Sequence, residues 1–183
     1  MKKTLLSILV AGYSVCSSFG QGALIFSNLG SGVSNSIVNA PFFDVDGVTK
    51  LAGTSFSTQL YYGAAGTHEG DLVNTGAPTV NFNTGVFAGY FSSTPSVTLT
   101  GVAVGATAAV QFRAWDNRTG TTWETATVRG QSSVLTTPSL GDPLNAASLP
   151  VVSSLASVTL VPEPATIALG IFGAAGLLIR RRK

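Results

Sequence analysis

Ala108-Ala109-Val110-Gln111-Phe112-Arg113-Ala114-Trp115 is the stretch that decides the fold class of this 183-residue chain. Ala108, Val110, Phe112 and Ala114 fall on one side of a period of two, and Ala109, Gln111, Arg113 and Trp115 fall on the other. A strand turns successive side chains to opposite faces, so this is the pattern of a β-strand. The same period recurs at Phe56, Thr58, Leu60 and Tyr62 against Ser57, Gln59 and Tyr61, and again at Val80 and Phe82, Val97 and Leu99, and Val158 and Leu160. Leu24-Ile25-Phe26 reads as a further short strand. Turn-forming clusters separate these runs: Asp46-Gly47, Ala64-Ala65-Gly66, Asn83-Thr84-Gly85, Asn117-Arg118-Thr119-Gly120 and Gly141-Asp142-Pro143. Thr122-Trp123-Glu124-Thr125-Ala126 is the one candidate for a helical turn. In residues 132–154, Pro138, Pro143 and Pro150 argue against a central strand and for a long loop. The expectation is all-β: an antiparallel β-sandwich over residues 21–160, jelly-roll or immunoglobulin-like in type. With a single cysteine, Cys16, the chain lacks the Cys…Trp…Cys pin of true immunoglobulin domains.

Composition removes several function classes. One cysteine excludes a disulfide scaffold and a thiolate zinc site, and one histidine makes a histidine-rich metal centre implausible. The formal net charge is +2, but its distribution matters more. Of ten Lys and Arg residues, six (Lys2, Lys3, Arg180, Arg181, Arg182 and Lys183) lie at the two ends, leaving four against all eight acids between them. The body is therefore acidic, and nucleic-acid binding is disfavoured.

The chain begins with Met1-Lys2-Lys3, then an apolar run over residues 5–15, then Ser17-Ser18-Phe19-Gly20. A short cationic start, an apolar core and small residues three and one positions before a cut define a secretory signal peptide over residues 1–20, cleaved between Gly20 and Gln21. An apolar core of about 11 residues is short for a membrane span. Lipid attachment at Cys16 is disfavoured because Val15 stands where such sites want a small residue. Cleavage after Gly20 would leave a chain without cysteine, which suits an oxidising exterior.

The other end reads Val161-Pro162-Glu163-Pro164-Ala165-Thr166, then an uncharged apolar run to residue 179, then Arg180-Arg181-Arg182-Lys183. As a helix, residues 165–179 would span about 22 Å, short of a hydrocarbon core of roughly 30 Å. Snorkelling cations and local bilayer thinning accommodate that deficit. Arg180, Arg181, Arg182 and Lys183 would act as a topological stop, holding the C-terminus on the cytoplasmic side. Pro164 fits the first turn of a helix and cannot continue one backwards, so the helix is expected to start there. Gly170 and Ala174 form a weak small-xxx-small pair.

Pro162-Glu163-Pro164, Thr166, the short glycine-bearing apolar run and the basic tail together resemble the PEP-CTERM sorting signal, over residues 161–183. The resemblance implies that an exosortase, a membrane-embedded cysteine protease, cuts near Pro162, Glu163 and Pro164 and releases the body to the cell surface or extracellular matrix. Within the body, Gln21-Gly22-Ala23-Leu24-Ile25-Phe26-Ser27-Asn28, Phe43-Asp44-Val45-Asp46-Gly47, Leu51-Ala52-Gly53, Gln59-Leu60-Tyr61 and Arg113-Ala114-Trp115-Asp116 are similar to Gly/Ser/Thr-rich exported proteins carrying that tail. The resemblance implies an address and no particular activity.

Candidate chemistry in the body is sparse. Asp44-Val45-Asp46-Gly47 offers two carboxylates and a glycine that could begin a calcium loop, but Val48-Thr49-Lys50 adds no acid and a β-turn is the better reading. Thr67-His68-Glu69-Gly70-Asp71 gathers the single histidine with two acids beside small residues, the composition of a solvated loop tip. There is no nucleophile elbow, zinc-binding His-Glu-x-x-His or phosphate-cradling loop, so no catalytic residue, cofactor or metal is expected. Asp116 with Glu124 would be the carboxylate pair of a glycoside hydrolase. Trp115, Trp123, Tyr61, Tyr62 and Tyr90 would be the stacking platform of a sugar-binding protein, although aromatic residues on strands more often pack a core. The primary expectation is a non-enzymatic exported protein whose partners are the sorting protease and, through its C-terminal helix, the membrane. A carbohydrate-binding adhesin for extracellular polysaccharide is the second reading and a secreted hydrolase the third.

Overall fold

The computed structural model describes residues 20–33, 37–92 and 96–163. The remainder of the expected signal peptide, residues 1–19, and Pro164 with residues 165–183 lie outside the described residues. Among the described residues no helix is long and apolar enough to cross a membrane.

The described chain is mostly β, and its sheets are antiparallel. Its strands are, in order, β1 (Gln21–Leu24), β2 (Leu29–Ser31), β3 (Ile37–Asn39), β4 (Gly53–Ala64), β5 (Val73–Asn74), β6 (Val80–Phe82), β7 (Val97–Ala103), β8 (Ala108–Asp116), β9 (Val128–Gln131), β10 (Leu135–Thr136) and β11 (Val161–Pro162). The two longest, β4 and β8, pair without interruption from Phe56 opposite Asp116 to Ala64 opposite Ala108. Both were legible as alternating runs, and both form the centre of a seven-stranded sheet. On the far side of β4 lie β5 and β6; on the far side of β8 lie β9 and β10; β11 adds to β9. A second sheet pairs β1 with β7, and β2 pairs with β3.

The register puts Phe56, Leu60 and Tyr62 of β4 on the same face as Val110, Phe112 and Ala114 of β8. These side chains meet Leu24 of β1 and Val97, Leu99 and Val102 of β7 in one hydrophobic cluster, so both sheets share a core. Its centre is aromatic: the Phe26 and Phe91 rings are 4.8 Å apart, Phe26 and Phe112 5.3 Å, and Phe82 and Phe91 5.4 Å. The buried Asn28 side chain ties the loops around this cluster, donating to the carbonyls of Ala40 and Gly89 (both 2.8 Å) and accepting from the Phe91 amide (2.7 Å). A buried amide is tolerated because its groups are satisfied.

Two expectations are modified. Residues 132–154 are mostly irregular and contain no central strand, as expected, but they do not stay at the surface: Leu140, Val151 and Val152 enter the core, and short β10 pairs with β8. The prolines permit this because the segment supplies acceptors to β1 and its continuation, the Gly141 carbonyl to Ala23 and the Pro150 carbonyl to Ile25, both at 2.9 Å. The last strand begins at Val161, three residues beyond Val158. Val158 and Leu160 are buried and alternate with exposed Ser157 and Thr159 as expected, but their backbone joins Phe43 in a parallel bridge.

Candidate functional site

The seven-stranded sheet has a second face, and it too is covered: every residue of β8 is buried. Ser57, Gln59 and Tyr61 of β4 lie on this face beside Trp115, Arg113 and Gln111 of β8. Across the β8–β9 pair, Arg113 stands opposite Gln131 and Trp115 opposite Arg129. The turn after β8 lies over them. In it, Thr125 and Ala126 both donate backbone amides to the Thr122 carbonyl (3.2 and 2.9 Å), forming the single turn expected for residues 122–126 and projecting Trp123 and Glu124 onto the sheet.

The contacts are those of cations layered with rings. The Arg113 guanidinium carbon lies 3.9 Å from the Tyr61 ring centre and 4.2 Å from that of Trp123, and the Arg129 guanidinium carbon lies 4.1 Å from Trp123. Guanidinium planes suit such stacking because they are delocalised and weakly hydrated. Arg113 Nε donates to Gln111 Oε1 at 2.8 Å, and Gln111 Nε2 donates to the Ser132 carbonyl at 2.9 Å, which fixes the buried cation laterally. The Tyr61 hydroxyl donates to Glu124 Oε1. Burial and then the neighbouring Glu124 push the Tyr61 phenol up to about 12. Burial alone would raise Glu124, but the Tyr61 hydroxyl, backbone and Thr122 hydrogen bonds and the Arg113 charge outweigh it, and its carboxyl sits below the usual range.

The sheet ends at the segment expected to carry the sorting signal. Val161 pairs with Arg129 and Pro162 with Val128, and the Glu163 amide donates to the Thr127 carbonyl at 2.7 Å. Antiparallel hydrogen bonds alternate, so Pro162 occupies the position whose missing N–H would have faced outward. Gly130 makes the approach possible: a Cβ there would meet the Thr159 carbonyl oxygen at 2.7 Å and Leu160 Cα at 3.2 Å. The Glu163 carboxylate forms an ion pair with Arg129, whose second nitrogen donates to the Trp123 carbonyl at 2.6 Å. A pocket of about 400 Å³ opens here, walled by Trp123, Arg129, Gln131, Thr159, Val161 and Glu163. The Trp123 indole N–H and Gln131 Oε1 are buried without a hydrogen-bond partner.

The other residues singled out in the sequence are dispersed. Gln21 is the first residue of β1, opposite Ala103, and the Gly20 carbonyl accepts from Val104 at 3.0 Å. Pro164, Arg180, Arg181, Arg182 and Lys183 lie outside the described residues. The five aromatic residues do not make one platform: Trp115 and Tyr61 are buried on the second face, Tyr62 faces the core, and Tyr90 bonds Asn39 elsewhere, leaving Trp123 half-exposed at the pocket. Asp116 projects from the core side of β8 and pairs with Arg118 at 2.7 Å, whereas Glu124 lies over the opposite face, so these carboxylates do not converge. Both Asp46 oxygens are used within their own turn, accepting from the Val48 and Thr49 amides (2.9 and 2.8 Å) and the Thr49 hydroxyl (2.6 Å). His68 is exposed and precedes a single 3-10 turn, Glu69–Asp71. No group of three or more His, Cys, Asp or Glu side chains suited to a metal occurs among the described residues.

Sequence reasoning missed Arg113, Arg129 and Gln131. The available signal was the run Gln111, Arg113, Trp115 on one face of a strand whose other face is apolar from Ala108 to Ala114. No protein-family model matches the chain, and no curated protein and no solved structure matches it.

Proposed function

We propose that this chain is an exported, non-enzymatic protein of the cell surface or extracellular matrix. In this reading it is held at the membrane by residues 165–179 until an exosortase-type protease acts near Pro162, Glu163 and Pro164. The observation that carries it is the tail itself: Pro-Glu-Pro, a short uncharged apolar run and four terminal cations in immediate succession. Two features of the fold support it. Val161, Pro162 and Glu163 are exposed where the described body ends, and Gln21 begins the first strand, so removal of both expected signals would leave the shared core intact. The shared core of two antiparallel sheets supports the finer reading of the body as a β-sandwich, jelly-roll or immunoglobulin-like. Replacing Pro162-Glu163-Pro164 by alanines and fractionating the cells tests the function: the full-length chain should stay in membranes, and release equal to the parent's would refute the processing role.

A second reading, binding of extracellular polysaccharide, is favoured by one feature, the half-exposed Trp123 beside Arg129, Gln131 and Glu163 in the pocket. A partly exposed aromatic side chain beside hydrogen-bonding groups suits a polar sugar. Binding on a glycan array that disappears in Trp123→Ala would support it, and no binding by the parent would remove it.

A further inference from the structure

We propose that the folded body masks its own processing motif: β9 and Arg129 hold residues 161–163 as the outermost strand of the sheet, and this segment must detach before a protease can take it. The inference rests on the processing role proposed above and concerns its regulation. Proteases and other receptors that bind extended peptides do so through backbone hydrogen bonds and side-chain pockets. Here the body already occupies the inward-facing backbone groups and the Glu163 carboxylate, while the Val161 and Pro162 side chains stay exposed. The Glu163 amide is bonded to Thr127, Val161 and Pro162 are paired with Arg129 and Val128, and the Glu163 carboxylate is engaged by Arg129. Arg129 is itself anchored, since it stacks on Trp123 and bonds the Trp123 carbonyl, so the contact is built from the second face of the sheet. The bond set is small and lies at a sheet edge, as a contact that opens reversibly requires. Arg129 is thus a positioning residue for processing and touches no reacting atom.

The test follows release of the full-length protein by pulse-chase in cells that process the parent. Hydrogen exchange at the Glu163 amide in the purified full-length chain is measured alongside. Arg129→Ala should speed release roughly five-fold, the scale of losing one partly exposed ion pair with its strand contacts, and should speed Glu163 exchange in parallel. Gly130→Ala, which pushes on Thr159 and Leu160 without touching the charge, should do the same. Arg129→Lys keeps the cation but not the fork that reaches both the Trp123 carbonyl and Glu163, and should release at a rate between the parent and Arg129→Ala. If the alanine replacement of Pro162-Glu163-Pro164 blocks release while Arg129→Ala frees the Glu163 amide but leaves release unchanged, masking is overturned and the processing role stands. If the motif replacement is itself released normally, the processing role fails and masking falls with it.

Discussion

Arg113 and Tyr61 are diagonal neighbours on adjacent strands, with the guanidinium carbon 3.9 Å from the ring centre and only 8% of Arg113 left exposed. A buried cation needs compensation, and here two aromatic rings and Gln111 supply it, with Glu124 acting at longer range. Arg113→Ala should lower the unfolding free energy by about 2–4 kcal/mol, since it removes two desolvated cation–π contacts and opens a void beneath Trp123. Urea denaturation of parent and variant measures this, and a loss under about 0.5 kcal/mol would contradict the description of the second face as packed.

The Tyr61–Glu124 contact gives stability a pH signature at both extremes. A folded-state phenol pushed up to about 12 from 10.0 contributes stability that is complete below pH 10 and is lost as pH rises toward 12. Glu124, held below 4.5, and Asp116, held below 3.8 chiefly by Arg118, contribute stability that is present above those values and lost as pH falls through their folded values. Melting temperature should therefore fall at both ends of the range. In Tyr61→Phe the alkaline decline should be shallower; an unchanged alkaline limb would show that the phenol is not protected.

Asn28 satisfies three buried backbone groups at once. Asn28→Ala would leave the Ala40 and Gly89 carbonyls and the Phe91 amide without that partner, at about 1–3 kcal/mol for each unsatisfied group before relaxation. A net destabilisation of about 3 kcal/mol is expected in chemical denaturation, and a neutral result would mean that these loops do not depend on the clamp.

Phe91 touches Phe26, Phe42, Phe82 and Phe112 with ring centres 4.8 to 6.3 Å away. Phe91→Ala should cost about 3–5 kcal/mol, whereas Leu144→Ala, at a residue 94% exposed, should change stability by less than about 0.5 kcal/mol. Thermal unfolding of the two variants side by side checks the location of the core.

The core was legible where one face of a strand is apolar. Val110, Phe112 and Ala114 opposite Phe56, Leu60 and Tyr62 announce a buried face through their period alone. The second face was not legible, because Gln111 and Arg113 read as solvent-facing until β9 and the turn bearing Trp123 are folded across them. Residues 132–154 form a largely irregular segment, as their prolines indicate, but its burial was not legible: such a segment can still accept hydrogen bonds, and the Gly141 and Pro150 carbonyls do so. Nothing in the sequence placed Pro162 in a sheet, and it fits there because β11 is outermost and its missing N–H faces outward. The Arg129–Glu163 pair joins residues 34 apart, a contact that local periodicity does not report.

The central claim is that a sheet-built body is delivered by two removable ends. Mass spectrometry of the terminal peptides of the protein recovered outside the cell tests it most directly. The account predicts an N-terminus at Gln21 and a C-terminus lacking Arg180, Arg181, Arg182 and Lys183. Recovery of the polypeptide from the cytosol with Met1 and Lys183 both in place would contradict it.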